Sequence, residues 1–398
     1  MRGRLCALLS GLSLSMAAAA SAETRDAFHS DPEVRLLDAL SQFNSGDYED
    51  ALSDLSLLIE DQPDFRLANI VYADLLLAKA GRPLPQSDGP FSDKRSELLE
   101  EARVRWSHRL QSPAQDATPS AVLTLADRYE YVIVVDLVRN RLYLMRNDGG
   151  QPEIVADFYA SIGVQGIGKQ LEGDAKTPIG VYHVTEYKPD EELPELYGNG
   201  AFPVNYPNSL DRVFGRTGYG IWVHGVPRST YNRAPRASQG CVVVSNDDLE
   251  TLRDYIRPGI TPVVFSNDLE WLDPAEAAER RNRLVKVIAQ WRQDRESADP
   301  SRLARHYAED FVSSNGQERR EYLADIADSP AAGNMKVRLE DISIFGYPGY
   351  REMALISFTQ RVYSTTSKFQ DSESRRQQFW RKDDSGWQVI HEAESPDR

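Results

Sequence analysis

Apolar positions set the first divisions of this chain. Between Glu33 and Gly81, and again from Lys94 to Leu110, they recur every three or four residues, the period of a helix with one buried face. Leu99, Ala102, Trp106 and Leu110 are expected to form that face in the last of these helices. Pro83, Pro85, Gly89 and Pro90 break the pattern in between. After a linker rich in Pro, Ser, Ala and Thr over 111–120, the period becomes that of strands. Val132-Ile133-Val134-Val135-Asp136 and Arg141-Leu142-Tyr143-Leu144-Met145 are predicted strands joined by a turn at Arg139-Asn140. Further strand-like runs cover 157–162, 180–185, 220–224, 241–244 and 261–265. One helix interrupts them, opened by Ser245 and Asp248 as a capping pair, with Leu249, Leu252 and Ile256 as its buried stripe.

From 274 to 295 the pattern is helical and highly charged, and strands return over 337–345, 352–363, 375–382 and 386–392. A multidomain chain is therefore expected. It comprises a leader at 1–22, an N-terminal α-helical hairpin region at 33–110, a mainly-β domain at 131–267 and a C-terminal α+β cone at 284–398. In the helical region Ala39, Gly46, Tyr48, Ala51, Leu55 and Pro63 fall at the spacing of one tetratricopeptide-like (TPR-like) unit, and Tyr72-Ala73 opens a partial second. One and a half units are too few for a peptide-binding solenoid. A packing hairpin, or a homodimer made through these helices, is the expectation.

Charge and cysteine usage narrow the function. Arg2 and Arg4 precede the short apolar stretch from Leu5 to Ala20, and Ala20-Ser21-Ala22 is a small-residue cleavage site, so a signal peptide and an exported, periplasmic or envelope product are expected. Its removal takes the net charge from −15 to −17, which argues against nucleic acid and anionic lipid as partners. It also removes Cys6 and leaves Cys241 as the lone thiol. With six scattered histidines and one cysteine, no structural metal site is expected. The glycines at 163, 166, 168 and 173 do not open a helix after a strand, so no nucleotide site follows. Lys169 and Lys176 are read as solvated or substrate-loop charges, and Asp190-Glu191-Glu192 as a hydrated run.

A lone thiol in an exported chain is either inert filler or a nucleophile. In Ile221-Trp222-Val223-His224, strand alternation puts Trp222 and His224 on one face and Val223 toward a core. An isolated histidine there would be read as a core residue. Gly225 follows at once, however, and Cys241 begins the next strand-like run, so two adjacent strands would bring the imidazole to the thiol. An imidazole base and the loop arginines Arg228, Arg233 and Arg236 are expected to hold the sulfur ionised. No carboxylate precedes His224, which leaves a backbone carbonyl near Gly225 to orient it. Gly240 permits a tight turn that would leave the amides of Gly240 and Cys241 as an oxyanion hole.

His224-Gly225, a loop and Ser238-Gln239-Gly240-Cys241 resemble the signature of the L,D-transpeptidase catalytic domain (YkuD type). Val135-Asp136, Leu142-Tyr143, Ser161-Ile162-Gly163, Gly173-Asp174-x-x-Thr177-Pro178-x-Gly180 and Thr261-Pro262-Val263 agree with it, so the resemblance covers 131–267. It implies Cys241 as nucleophile, His224 as base, the Gly225 carbonyl as orienting group and Ser238 as a shaper of the pocket. Trp222, Arg228, Arg233 and Arg236 are further candidates for substrate contact. It also implies peptidoglycan stem peptides as substrate, an amine of another stem or of an envelope protein as acceptor, and no metal or organic cofactor. Gln239 stands where many members carry His, and Val243 where many carry Arg; Arg216 and the loop arginines are candidates to replace that charge. The C-terminal cone resembles NTF2-like domains and, behind such a catalytic domain, is similar to the cell-shape L,D-carboxypeptidases, which trim tetrapeptide to tripeptide. Trp291, Tyr307, Phe379 and Trp380 are candidates for a pocket in that cone. The motifs favour transfer to an amine, while the cone and Val243 favour hydrolysis. An inactive wall-binding scaffold is the remaining class.

Overall fold

The computed structural model describes residues 31–84, 92–297, 299–329, 333–366 and 370–396; the leader expected at 1–22 lies outside the described residues. No helix among them is long and apolar enough to cross a membrane. The chain forms two compact units, a helical one running to Gln111, to which Ser229–Tyr231 belong, and a larger one made of the rest.

The helical unit contains α1 (Pro32–Ser45), α2 (Tyr48–Asp61), α3 (Arg66–Lys79) and α4 (Ser92–Leu110). Asp31 caps α1 by accepting the Glu33 N–H at 2.7 Å, and Pro32 opens the first turn, where its missing N–H costs nothing. Leu36, Ala39, Leu52, Leu55, Leu58, Phe65 and Ala68 form the core, and Tyr231 stacks on Phe65 with ring centroids 4.4 Å apart. The inner face of α4 is not the apolar stripe expected from its spacing. Leu99 and Leu110 are exposed, whereas Glu101 and Arg105 are buried. The Arg105 guanidinium lies over the Phe65 ring and bonds Glu33 and Glu101, each at 2.9 Å. Two carboxylates and a long apolar stem make that burial tolerable for an arginine.

The larger unit is built on a five-stranded sheet of β1 (Tyr131–Asp136), β2 (Arg141–Asp148), β3 (Gln151–Tyr159), β4 (Gly180–His183) and β8 (Pro262–Ser266), in the order β3-β2-β1-β8-β4. Every side chain from Val132 to Val135 is buried, because both faces are covered. Ile133, Val135, Leu142 and Leu144 pack on one side against a second sheet and a helix. That sheet contains β5 (Gly200–Pro203), β6 (Trp222–His224) and β7 (Val242–Val243), and the helix is α6 (Asn246–Tyr255). Leu249 and Leu252 are the buried stripe of α6, and Ser245 Oγ accepts the Asp248 N–H at 3.1 Å. A short helix that the pattern did not announce, α5 (Ser209–Val213), precedes β6.

Val132, Val134, Tyr143, Met145 and Val264, on the opposite face, pack against Phe345, Tyr347, Leu355, Phe379 and Ile390 of the C-terminal cone. The cone follows the long α7 (Pro274–Glu296) and consists of α8 (Pro300–Ala304), α9 (Arg319–Asp328) and a sheet. The sheet holds β9 (Tyr307–Ser313), β10 (Met335–Gly346), β11 (Met353–Ser364), β12 (Ser372–Asp383) and β13 (Gly386–Glu394), in the order β9-β13-β12-β11-β10. Strand alternation divides the expected aromatic pocket. Trp291, Tyr307 and Trp380 fill the core under α7, with Trp291 Nε1 donating to Tyr307 OH at 3.1 Å, while Phe379 faces the central sheet.

Candidate active site

The parallel pairing of β6 and β7 aligns Val223 with Val242 and His224 with Val243. Cys241 thus enters β7 beside Trp222 at the start of β6, and His224 ends that strand two residues on, on the face that alternation gives it with Trp222. Val223 and Ile221 are core residues, as alternation requires, and His224 is buried as well. A 2.7 Å contact joins His224 Nδ1 to the Gly225 carbonyl. A carbonyl only accepts, so Nδ1 carries the hydrogen and Nε2 keeps its lone pair.

The turn before Cys241 is closed by Ser238. Its hydroxyl donates to the Cys241 carbonyl at 2.6 Å and accepts the Gly240 N–H at 3.1 Å. This corrects one expectation: the Gly240 amide is occupied by Ser238 and cannot serve an oxyanion hole. The Cys241 amide donates to no acceptor among the described residues and stays available. Gly240 is required sterically, since its φ is 118° and a Cβ there would stand 2.7 Å from the Lys176 carbonyl.

The sulfur is not held ionised at rest, which corrects a second expectation. The thiol donates to the Gly220 carbonyl at 3.4 Å. Burial pushes its pKa up to about 11, although the Trp222 backbone N–H, Arg233 and Lys169 pull the other way. Burial also pulls His224 down to about 4 against its bond to Gly225, and Arg233 adds to the fall. The pair therefore rests as neutral thiol and neutral imidazole.

The three loop arginines separate. Arg233 donates to the Leu196 carbonyl at 2.9 Å, and its charge acts on both Cys241 and His224. Arg228 is tied to Asp190. That ion pair accounts for one carboxylate of the acidic run as well. Arg236 is exposed on the short strand Arg236–Ser238, which pairs with Ile162–Gly163. Arg216, a candidate for the substrate carboxylate, is instead spent on Asp211 at 2.7 Å. Lys169, expected as a solvated or substrate-loop charge, is buried with Asp174 at 2.8 Å. Burial raises the Asp174 carboxyl, but Lys169 and the N–H groups of Gln170, Leu171 and Lys176 outweigh it and hold the group at about 2.

Two residues of the site carry no sequence signal. The Tyr197 ring packs 4.8 Å from Trp222 and edge-on 4.9 Å from His224, centroid to centroid, walling the imidazole. Asn246, at the start of α6, accepts the N–H groups of Asn199 at 3.1 Å and Val226 at 3.2 Å, and donates to the Val226 carbonyl at 2.9 Å. A Cβ on Gly198 or Gly225 would run into Asn246 Oδ1. One amide side chain thereby fixes both the loop that carries Tyr197 and the peptide that orients His224. Of this arrangement only the glycine beside His224 was visible beforehand.

Residues 130–265 match the family model described as the L,D-transpeptidase catalytic domain, YkuD, and residues 283–393 match that of the Cds6 C-terminal NTF2-like domain. No curated protein matches the chain. Among solved structures, it is similar to Bd1075 of Bdellovibrio bacteriovorus, with 27% identity and a TM-score of 0.62 over 71% of this chain and 99% of that one. It shares its fold with the helical cell shape determining protein Pgp2 of Campylobacter jejuni, at 22% identity and a TM-score of 0.58, over 69% of this chain and 94% of that one.

Proposed function

Since this chain carries an L,D-transpeptidase catalytic domain followed by an NTF2-like domain, we propose that it takes the terminal D-alanine from peptidoglycan stem tetrapeptides through a thioester on Cys241. The observation that carries this reading is His224, its Nε2 left unprotonated by the bond to Gly225, on the strand that pairs with the one Cys241 enters, with Arg233 acting on both groups. As substrate enters, the thiol proton passes from the Gly220 carbonyl side to Nε2, and the sulfur attacks the carbonyl carbon at the L-centre of the diamino acid. The negative oxygen is met by the Cys241 amide. The bond to D-alanine then breaks, and the imidazolium returns its proton to the leaving amine. An acceptor amine attacks the thioester next, gives its proton to His224 and releases the sulfur, which makes a 3–3 cross-link or a protein attachment. Arg233 is the cation best placed to grip the substrate carboxylate, and Trp222 with Tyr197 forms an apolar wall. The leader expected at 1–22 would deliver the chain to the envelope, where this substrate lies.

A second fate of the same thioester is hydrolysis, which trims tetrapeptide to tripeptide. It is favoured by the domain layout, which spans nearly the whole of a cell-shape protein, and by Val243 in place of arginine. Digestion of purified muropeptides, read by mass spectrometry, separates the two. Dimers or protein adducts indicate transfer, and loss of D-alanine without them indicates hydrolysis. Cys241→Ala is expected to abolish both, and equal processing by this variant and wild type would leave only a scaffold.

A further inference from the structure

The loop from Phe214 to Gly220 begins against the NTF2-like domain and ends at the thiol. At its start, Arg216 Nη1 donates to Asp211 Oδ1 at 2.7 Å, Nη2 donates to Tyr350 OH at 3.1 Å, and the Arg216 amide donates to the Asp211 carbonyl at 2.9 Å. Asp211 is fully buried and accepts from Tyr182 OH at 3.1 Å and the Asn208 amide at 3.0 Å. Asn208 Nδ2 in turn donates to Tyr347 OH at 3.1 Å. Tyr347 and Tyr350 lie in the turn between β10 and β11, so two tyrosines of one domain brace the loop of the other. One residue further along, the Thr217 carbonyl accepts Tyr206 OH at 3.1 Å and its amide donates to the Gln170 carbonyl at 2.9 Å. Left-handed Gly218 and Gly220 then turn the chain so that the Gly220 carbonyl accepts the thiol of Cys241.

We propose that the NTF2-like domain is a positioning element of the active site: Tyr350 and Tyr347, acting through Arg216 and Asp211, hold the Phe214–Gly220 loop and thereby set the Gly220 carbonyl against the Cys241 thiol. Arg216 is a positioning residue in this scheme and does not touch substrate. Four elements present groups that act on the sulfur: β6 with the Trp222 N–H, the His224–Cys241 loop with Arg233, the glycine-rich loop with Lys169, and the single helical turn Glu195–Tyr197 with Tyr197. The glycine-rich loop is bonded to Thr217 through the Gln170 carbonyl and answers to the same brace, so a change in thiol reactivity reports the Phe214–Gly220 loop together with it. The consequence for turnover rests on the thioester reading, whereas the geometry of the thiol does not.

The test uses the full chain with Arg216→Gln, Arg216→Lys and Tyr350→Phe. It follows alkylation of Cys241 by iodoacetamide across pH, kcat and KM on purified muropeptides, and a thermal melt. Arg216→Gln is expected to shift the alkylation profile and to lower kcat by roughly 10- to 100-fold with KM nearly unchanged, since a displaced contact of about 1 Å costs that much. Arg216→Lys should recover part of the loss, and Tyr350→Phe should move both readouts in the same direction by about threefold. An unmoved alkylation profile in folded Arg216→Gln overturns the proposal, even if kcat falls, because simple destabilisation does that. Should Arg216→Gln not fold, Tyr350→Phe decides alone, and unchanged alkylation there overturns it equally. A shifted profile in a protein whose wild type leaves muropeptides intact would uphold the loop brace and sink the thioester reading.

Discussion

A neutral thiol beside a neutral imidazole makes a definite demand on pH behaviour. His224 must be unprotonated to accept the thiol proton, and burial holds it at about 4, while the thiol itself titrates near 11. The kcat/KM profile on muropeptides is therefore expected to be flat between those values, with its acid limb near pH 4. A limb at pH 6–7 would show that His224 is solvated in the working enzyme. The same shift bears on stability. The unfolded chain binds a proton at its ordinary value of 6.5 and the folded chain does not until about 4, so stability falls as pH drops through that window and levels off below it. At this scale Cys241, His224 and Gly225 could be singled out beforehand, because a lone thiol and a His-Gly pair are short-range signals. Tyr197 and Asn246 could not, since their contacts come from loops remote in sequence and no periodicity marks them.

Among elements, the turn into β7 and the helix α4 behave in opposite ways. Gly240 occupies a backbone region costly for any other residue and faces the Lys176 carbonyl at close range. Gly240→Ala is expected to cost about 1–3 kcal/mol and to move Cys241 far enough to lower turnover by roughly 100-fold. Circular dichroism that still shows the wild-type fold, with muropeptide processing lost, is the expected combination. In α4 the error of expectation was one of charge. Apolar periodicity pointed to Leu99 and Leu110, yet the buried position went to Arg105 because Glu33 and Glu101 converge on it. Arg105→Ala should strand two buried carboxylates and destabilise the helical unit by about 3–5 kcal/mol, read from denaturant unfolding of the helical signal. Strand positions of the central sheet were legible for the converse reason, as Val132 to Val135 are apolar without interruption and admit little but a strand covered on both sides.

Over the larger unit as a whole, the two matched regions are not independent bodies. Val132, Val134 and Tyr143 share one core with Phe345, Leu355 and Phe379. Calorimetry of the full chain is expected to show a single transition for this unit, and separate melting of the two regions would refute the shared core. Which domains are present could be read from motif and strand order. Their mutual contact could not, because an outward apolar face looks the same in sequence whether a neighbouring helix or another sheet covers it. The doubly covered sheet also has a hereditary side. A gene that lost its 3′ end would not encode a smaller enzyme; it would encode a remnant with a bare greasy surface, so for this sequence the two halves must be passed on together.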